Sequence, residues 1–226
     1  MHLVRLRTSA KNRIFGLQTQ WGGVRVSLAR LRRGDGLTLL ERAGVPAVWR
    51  RSVSECLALI DFLDTRIAPL EAELRPFAQA DPRAALLDTI PGVAELLALT
   101  IAVEIGEISR FATPEKLVSY GRLAPRVHQS GQGRPRSGPL SKSGSRLLGW
   151  AAVEAAQQAW RPHNPWHRLY VDVRRRQGNG NAAKAAVARK VLIACWHVLA
   201  RNEPFKPAAP AAAPTVPASS SSSLAA

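Results

Sequence analysis

From Cys56 to Phe77 the apolar residues Cys56, Ile60, Leu63, Ile67, Leu70, Leu74 and Phe77 alternate spacings of four and three without a break. Such a pattern keeps one stripe of a helix facing a helical neighbour and has no counterpart in the two-residue period of a strand. Pro69 and Pro76 fall inside it and predict a kink or break near each, because proline lacks the N–H and crowds the preceding turn; Pro82 ends the helix. A partner stripe exists upstream, where Leu3, Leu6, Ala10, Ile14, Leu17 and Trp21 recur three or four apart until Gly22-Gly23 stops the pattern. Two arrangements satisfy the seam, a coiled coil between copies or an intramolecular hairpin against the first helix, since a heptad pattern specifies that helices pack and not whose they are. Between these helices, Gly34-Asp35-Gly36 and Gly44-Val45-Pro46 mark turns around a short helix near Leu37 to Arg42, and nothing there proposes chemistry.

The rest of the chain is also helical in pattern, with one long interruption. Ile90-Pro91-Gly92-Val93 predicts a helix-hairpin-helix: a first helix closed at Ile90, a turn at Pro91-Gly92, and a second helix from Val93 to Ile105. A tight turn of this kind presents free backbone N–H groups to a phosphate. Ala94 stands where the motif usually has a second glycine, which weakens that use, and a plain helical corner is the equal alternative. Thr113 and Pro114 open the next helix and Gly121 closes it. The loop from Arg122 to Ser143 is too rich in Gly, Pro and Arg for regular structure beyond a short β-ribbon around Gly131-Gln132-Gly133. After Gly144 an alanine-rich helix runs to Pro162, Asn164-Pro165 starts another that reaches Arg176, and Asn181 begins the last, with Val187, Val191, Ala194 and Val198 inward and Lys190, His197 and Arg201 on other faces. From Pro204 the composition becomes Pro, Ala and Ser, which cannot bury enough surface to fold. The fold class is mainly α: a helical and coiled-coil connector over 1–82, a compact helical domain with the hairpin and the basic loop over 83–203, and a tail over 204–226.

Charge locates the partner. Residues 1–115 carry 15 Lys/Arg and 13 Asp/Glu (+2), whereas residues 116–226 carry 17 and 3 (+14). Between Lys116 and Val153 there are seven Lys/Arg and no carboxylate. Dense arginine suits phosphate neutralisation, so nucleic acid is the expected partner; an anionic membrane would call for an amphipathic basic helix, and no apolar run approaches a span of about 18 residues. The phosphate-contacting residues expected are Pro91 and Gly92 in the hairpin turn, and Arg122, Arg126, His128, Gly131, Arg134, Arg136, Lys142 and Arg146 in and beside the loop. A second basic cluster comprises Arg174, Arg175, Arg176, Lys184, Arg189 and Lys190, for which a solvated helix face is the alternative. Cys56 and Cys195 sit in apolar helical patterns and read as core residues in a reducing compartment. The arginine-rich N-terminus weakly echoes a transit peptide, but its apolar spacing already has a structural use. No metal site is expected: Pro165 separates His163 from His167, and Asp61, Asp64, Glu71 and Glu73 lie along the seam helix as a solvated face.

Ser130, between Gln129 and Gly131, is the one candidate nucleophile. A hydroxyl needs a base or a field that stabilises the alkoxide and the phosphorane, and Arg126, His128, Arg134 and Arg136 are close in sequence. On the residues alone, a loop serine beside arginines is more often a phosphate contact than a catalyst. Six motifs in order, IPGV, RF, LVSYGRLAP, HQSG, LSKSGSRLL and AKAAVARKVLIACWHVL, make the chain from about Lys11 to Phe205 resemble the C-terminal part of the insertion-sequence-one-ten, one-sixteen and nine-oh-two transposases. The resemblance implies DNA transposition or recombination in a prokaryotic cytoplasm at the nucleoid, with Ser130 attacking DNA. It implies DNA as partner and a guide RNA as a further one; a homo-oligomer through the coiled coil is one of the two readings of the seam. It also implies an N-terminal RNase H-like domain with four metal-binding carboxylates, so that this chain reads as a truncated copy, inactive alone, with Mg2+ expected only alongside that domain. The alternatives are a non-enzymatic nucleic-acid-binding module or relic, and a structural helical oligomer.

Overall fold

The computed structural model describes residues 1–22, 24–128 and 136–207. Helix dominates them, and they divide into two compact units, Met1–Ala80 and Asp81–Ala226, the second described as far as residue 207.

The first unit contains α1 (His2–Gln20), α2 (Leu28–Arg32), α3 (Asp35–Arg42) and α4 (Ala47–Ala80). The helix α1 lies along α4 and buries Ala10, Ile14 and Leu17 in a core with Leu31, Leu40, Val53, Leu57 and Ile60. Gln18 is buried in the same layer without penalty, because its side chain accepts from the Val26 N–H (2.9 Å) and donates to the Val26 carbonyl (3.1 Å), replacing a backbone partner. The α4 seam is thus used within the chain over its first part. Ile60, Leu63 and Ile67 are buried, whereas Leu70, Leu74 and Phe77 are 49%, 47% and 66% exposed. Of the expected kink or break near Pro69 and Pro76, a break does not occur: α4 stays helical through both. Both prolines lie on the exposed side, as do Thr65 and Ala72, whose carbonyls lose their helical donors and can be hydrated instead.

The second unit contains α5 (Pro82–Asp88), α6 (Glu95–Ile105), α7 (Pro114–Tyr120), β1 (Pro125–His128), β2 (Arg136–Leu140), α8 (Arg146–Ala155), α9 (His167–Gln177) and α10 (Gly180–Arg201). The last helix touches α5, α7, α8 and α9, and its Val187, Val191, Leu192 and Cys195 are fully buried. Small residues allow this closeness: a Cβ on Gly121 would meet Leu192 Cδ1 at 2.5 Å, and one on Gly149 would meet the Gly121 carbonyl at 2.4 Å. Three helix starts fall later or earlier than their sequence signals. The α6 helix begins at Glu95 because the Pro91-Gly92 turn continues through Val93, whose N–H donates to the Ile90 carbonyl (2.9 Å). The α9 helix begins at His167, after a turn in which Asn164 Oδ1 accepts from the Trp166 N–H. Asn179 caps α10 by accepting from Asn181 N–H, so that the helix begins at Gly180, one step before the expected start.

Candidate nucleic-acid interface

The β1–β2 ribbon is antiparallel, with Pro125 opposite Leu140, Val127 opposite Ser137 and His128 opposite Arg136; β2 carries one extra residue between the first two pairs. Ser130, Gly131 and Arg134 lie outside the described residues, in the segment joining the two strands. Arg126, His128 and Arg136 lie on the ribbon itself, at strand positions.

What the ribbon stands on is closely defined. At the end of α7 the Leu123 N–H donates to the Val118 carbonyl and the Arg122 N–H to the Ser119 carbonyl, a complete Schellman closure. Such a closure needs a left-handed residue, usually glycine, yet here it is Arg122 at φ 60°. A non-glycine residue in that region costs on the order of 1–2 kcal/mol. Its guanidinium is not idle: Nε donates to the Gly144 carbonyl (2.7 Å), tying the start of the ribbon to its end. Gly144 is itself left-handed (φ 107°), and a Cβ there would stand 2.2 Å from the Tyr120 carbonyl. Ser145 then donates its N–H to that carbonyl (2.7 Å), accepts from the Leu148 N–H to cap α8, and donates its hydroxyl to Glu104 of α6. Below the ribbon, Ser141 N–H donates to the Ala124 carbonyl (2.9 Å). The Arg110-Phe111 pair braces the same corner: the guanidinium lies over the Phe111 and Tyr120 rings, and Trp196 Nε1 donates to the Phe111 carbonyl. Lys142 and Arg146 are exposed beside this base.

The hairpin turn is more structural than its sequence suggests. Gly92 is left-handed (φ 91°), and an added Cβ would stand 2.2 Å from the Ala155 carbonyl, so the turn backs onto the end of α8. Pro91 is half-buried, Gly92 keeps an exposed side, and α6 has no side-chain cap on its N-terminal N–H groups.

The second basic cluster divides. Arg174 and Arg175, exposed in the last turn of α9, line a hollow of about 500 Å³ with Trp160, His167 and Tyr170. Lys190 lies instead in another hollow of about 500 Å³, with His197, Arg201 and Lys206. Lys184 is half-buried, and Arg189 and Arg176 are exposed. The aromatic rings Trp160, Trp166 and Phe205 at these hollows were not expected as site residues, since they come from three separate segments.

Other titratable groups have local explanations. Asp64 accepts from Arg7 (2.8 Å) and Arg32 (2.6 Å), and these bonds, Arg7 first, hold its carboxyl below the usual range; Asp61 also meets Arg32 (2.9 Å). Burial pushes the Cys195 thiol up to about 12, as suits a packed apolar side chain, and both cysteines are free. Among the described residues no group of three or more His, Cys, Asp or Glu is gathered to hold a metal ion. Among them, too, no helix is long and apolar enough to cross a membrane.

Comparison with known proteins bears on this arrangement. Residues 84–172, from α5 into α9, match the model described as the Transposase IS116/IS110/IS902 family. A probable family 20 transposase of Pseudomonas aeruginosa is 27% identical over 91% of this chain and 62% of its own length. The transposase for insertion sequence element IS1111A of Coxiella burnetii is 28% identical over 90% of this chain and 57% of its own length. A pilin gene-inverting protein of Moraxella bovis is 33% identical over 54% of this chain and 38% of its own length. The chain thus spans about six tenths of the first two relatives. The family match thus falls on the ribbon and its supporting helices, and the similarity to transposases extends along about nine tenths of the chain.

Proposed function

We propose that this chain binds DNA through its basic second half and acts in transposition or recombination with Ser130 as nucleophile. The reading is carried by the ribbon's anchored base: Arg122, Gly144 and Ser145 tie both of its ends to the helical core, and the segment between its strands contains Ser130. A left-handed arginine is strain kept where geometry matters, and Gly144 allows a backbone approach that a side chain would block. In the proposed step Ser130 Oγ attacks a phosphodiester, the Oγ–P bond forms, one P–O bond to deoxyribose breaks, and the departing sugar oxygen takes up a proton as the serine hydroxyl loses one. Arginines around the ribbon stabilise the phosphorane charge. The resemblance assigns metal-binding carboxylates to an RNase H-like domain, and a guide RNA as a further partner; any Mg2+ requirement belongs with that domain. The exposed end of the α4 seam, Leu70, Leu74 and Phe77, is proposed as the contact for a second copy.

The chain alone is expected to bind DNA without cleaving it. Mixed with a full-length relative whose own serine is replaced by alanine, it should form a covalent protein–DNA product attached to this chain. That product should vanish in Ser130→Ala while DNA binding persists. Covalent capture surviving Ser130→Ala would identify a different nucleophile, and binding with no product in any mixture would favour a non-enzymatic binding module.

A further inference from the structure

The hollow between the start of α9 and the end of α10 combines cations with aromatic rings in a way the ribbon does not. Lys190, His197 and Arg201 follow one another along α10 at spacings of seven and four, so they form a single stripe about 16 Å long. The same hollow is lined by Trp166, at the N-cap of α9, and Phe205, whose ring centroids are 5.6 Å apart. Phe205 is held there because its N–H donates to Thr89 Oγ1 (2.8 Å), which pins the chain after α10 against the end of α5. Lys206 adds a further cation. The acid lining the hollow, Glu203, meets Lys206 at 3.5 Å with both side chains exposed, a pairing of little strength.

We propose that this groove binds unpaired nucleotides of a single-stranded nucleic acid, and the proposal rests on the nucleic-acid reading above for its class of partner. Three lysine and arginine side chains against one exposed carboxylate favour a polyanion. The hollow, of about 500 Å³, has room for a nucleotide-sized group. A duplex keeps its bases stacked inside and offers only its backbone to a concave surface. An unpaired strand lays its phosphates along the α10 stripe and a base against the Trp166–Phe205 wall, the combination of electrostatic groove and stacking platform that single-strand binding requires.

The test uses the full chain and fluorescence anisotropy with labelled oligo(dT), oligo(U) and a duplex of the same length, each titrated over a range of salt. Phe205→Ala should weaken binding of the single strands about tenfold and leave the duplex unchanged. Lys190→Gln with Arg201→Gln, both exposed and so harmless to folding, should flatten the single-strand slope of log K against log salt by about 1.4. Tighter binding of oligo(U) or of oligo(dT) names the source as RNA or DNA, and either supports the groove. The proposal is overturned if the double variant binds single strands with the wild-type affinity and slope, or if Phe205→Ala affects duplex as much as single strands. Retained duplex binding in that case leaves the proposed function standing, whereas a wild type that binds none of the three probes removes both.

Discussion

The two units use charge in opposite ways. In the first, Arg7 and Arg32 close on Asp64, Arg32 also on Asp61, Arg30 on Asp35 and Arg50 on Glu41, so basic side chains are consumed by carboxylates from the same unit. From Lys116 onward, 17 Lys/Arg share a stretch with three Asp/Glu, and most of those cations have no acid there to meet. Exposed ion pairs add about 0–1 kcal/mol each, so the first pattern contributes modestly to folding; the second is the charge excess on which the proposed binding of a polyanion rests.

The contrast breaks most visibly at α4. Ile60→Asp places a carboxylate in the first unit's core at 1% exposure and should cost more than about 4 kcal/mol, seen as loss of the helical signal of that unit. Leu70→Asp, on the same seam, should change folding stability by less than about 0.5 kcal/mol. Light scattering then separates the roles: a wild type that dimerises and a Leu70→Asp variant that does not would assign the exposed end of the seam to a second copy. A wild type that stays monomeric at high concentration would remove that contact.

Gly144→Ala tests the ribbon's base. The added methyl meets the Tyr120 carbonyl and the backbone is left-handed, so a loss of about 2–4 kcal/mol is expected in chemical denaturation of the second unit. A variant as stable as wild type would mean that the base is not the rigid platform described here.

The smallest effect concerns Asp64. Because Arg7 and Arg32 favour its ionised form and so hold its folded-state pKa down, it adds stability that is present above the unfolded carboxylate range near 4 and drains away as pH falls through the lower folded value. Asp64→Asn should therefore cost up to about 1 kcal/mol at neutral pH and flatten the loss of stability of the first unit below about pH 4. An unaltered acid limb would show that these pairs are incidental.

Periodicity made most of the helices readable. The inward stripe Val187, Val191, Ala194 and Val198 is buried as spaced, and the hairpin of α1 with α4 follows from their two stripes. A seam, however, records only that apolar residues share a face, so it could not show that Ile60 to Ile67 would be buried and Leu70 to Phe77 left open. The candidate site is marked in the sequence by its charge and not by its geometry. Arginine has no sequence signal for a left-handed backbone, and Arg122 holds one because α7, Gly144 and Tyr120 impose it from 22 residues away or less. Likewise Trp166 and Phe205 meet only because Thr89 captures the chain after α10, a contact spanning 116 residues.

Salt dependence of duplex DNA binding tests the central claim most directly. If the cations of the second half neutralise six phosphates, log K should fall against log salt with a slope of about −5. Arg134→Ala with Arg136→Ala should flatten it by about 2, while Arg5→Ala with Arg13→Ala, on exposed positions of α1, should leave it unchanged. A slope near zero, or one that responds to the α1 pair and not to the ribbon pair, would contradict the division of charge on which the account rests.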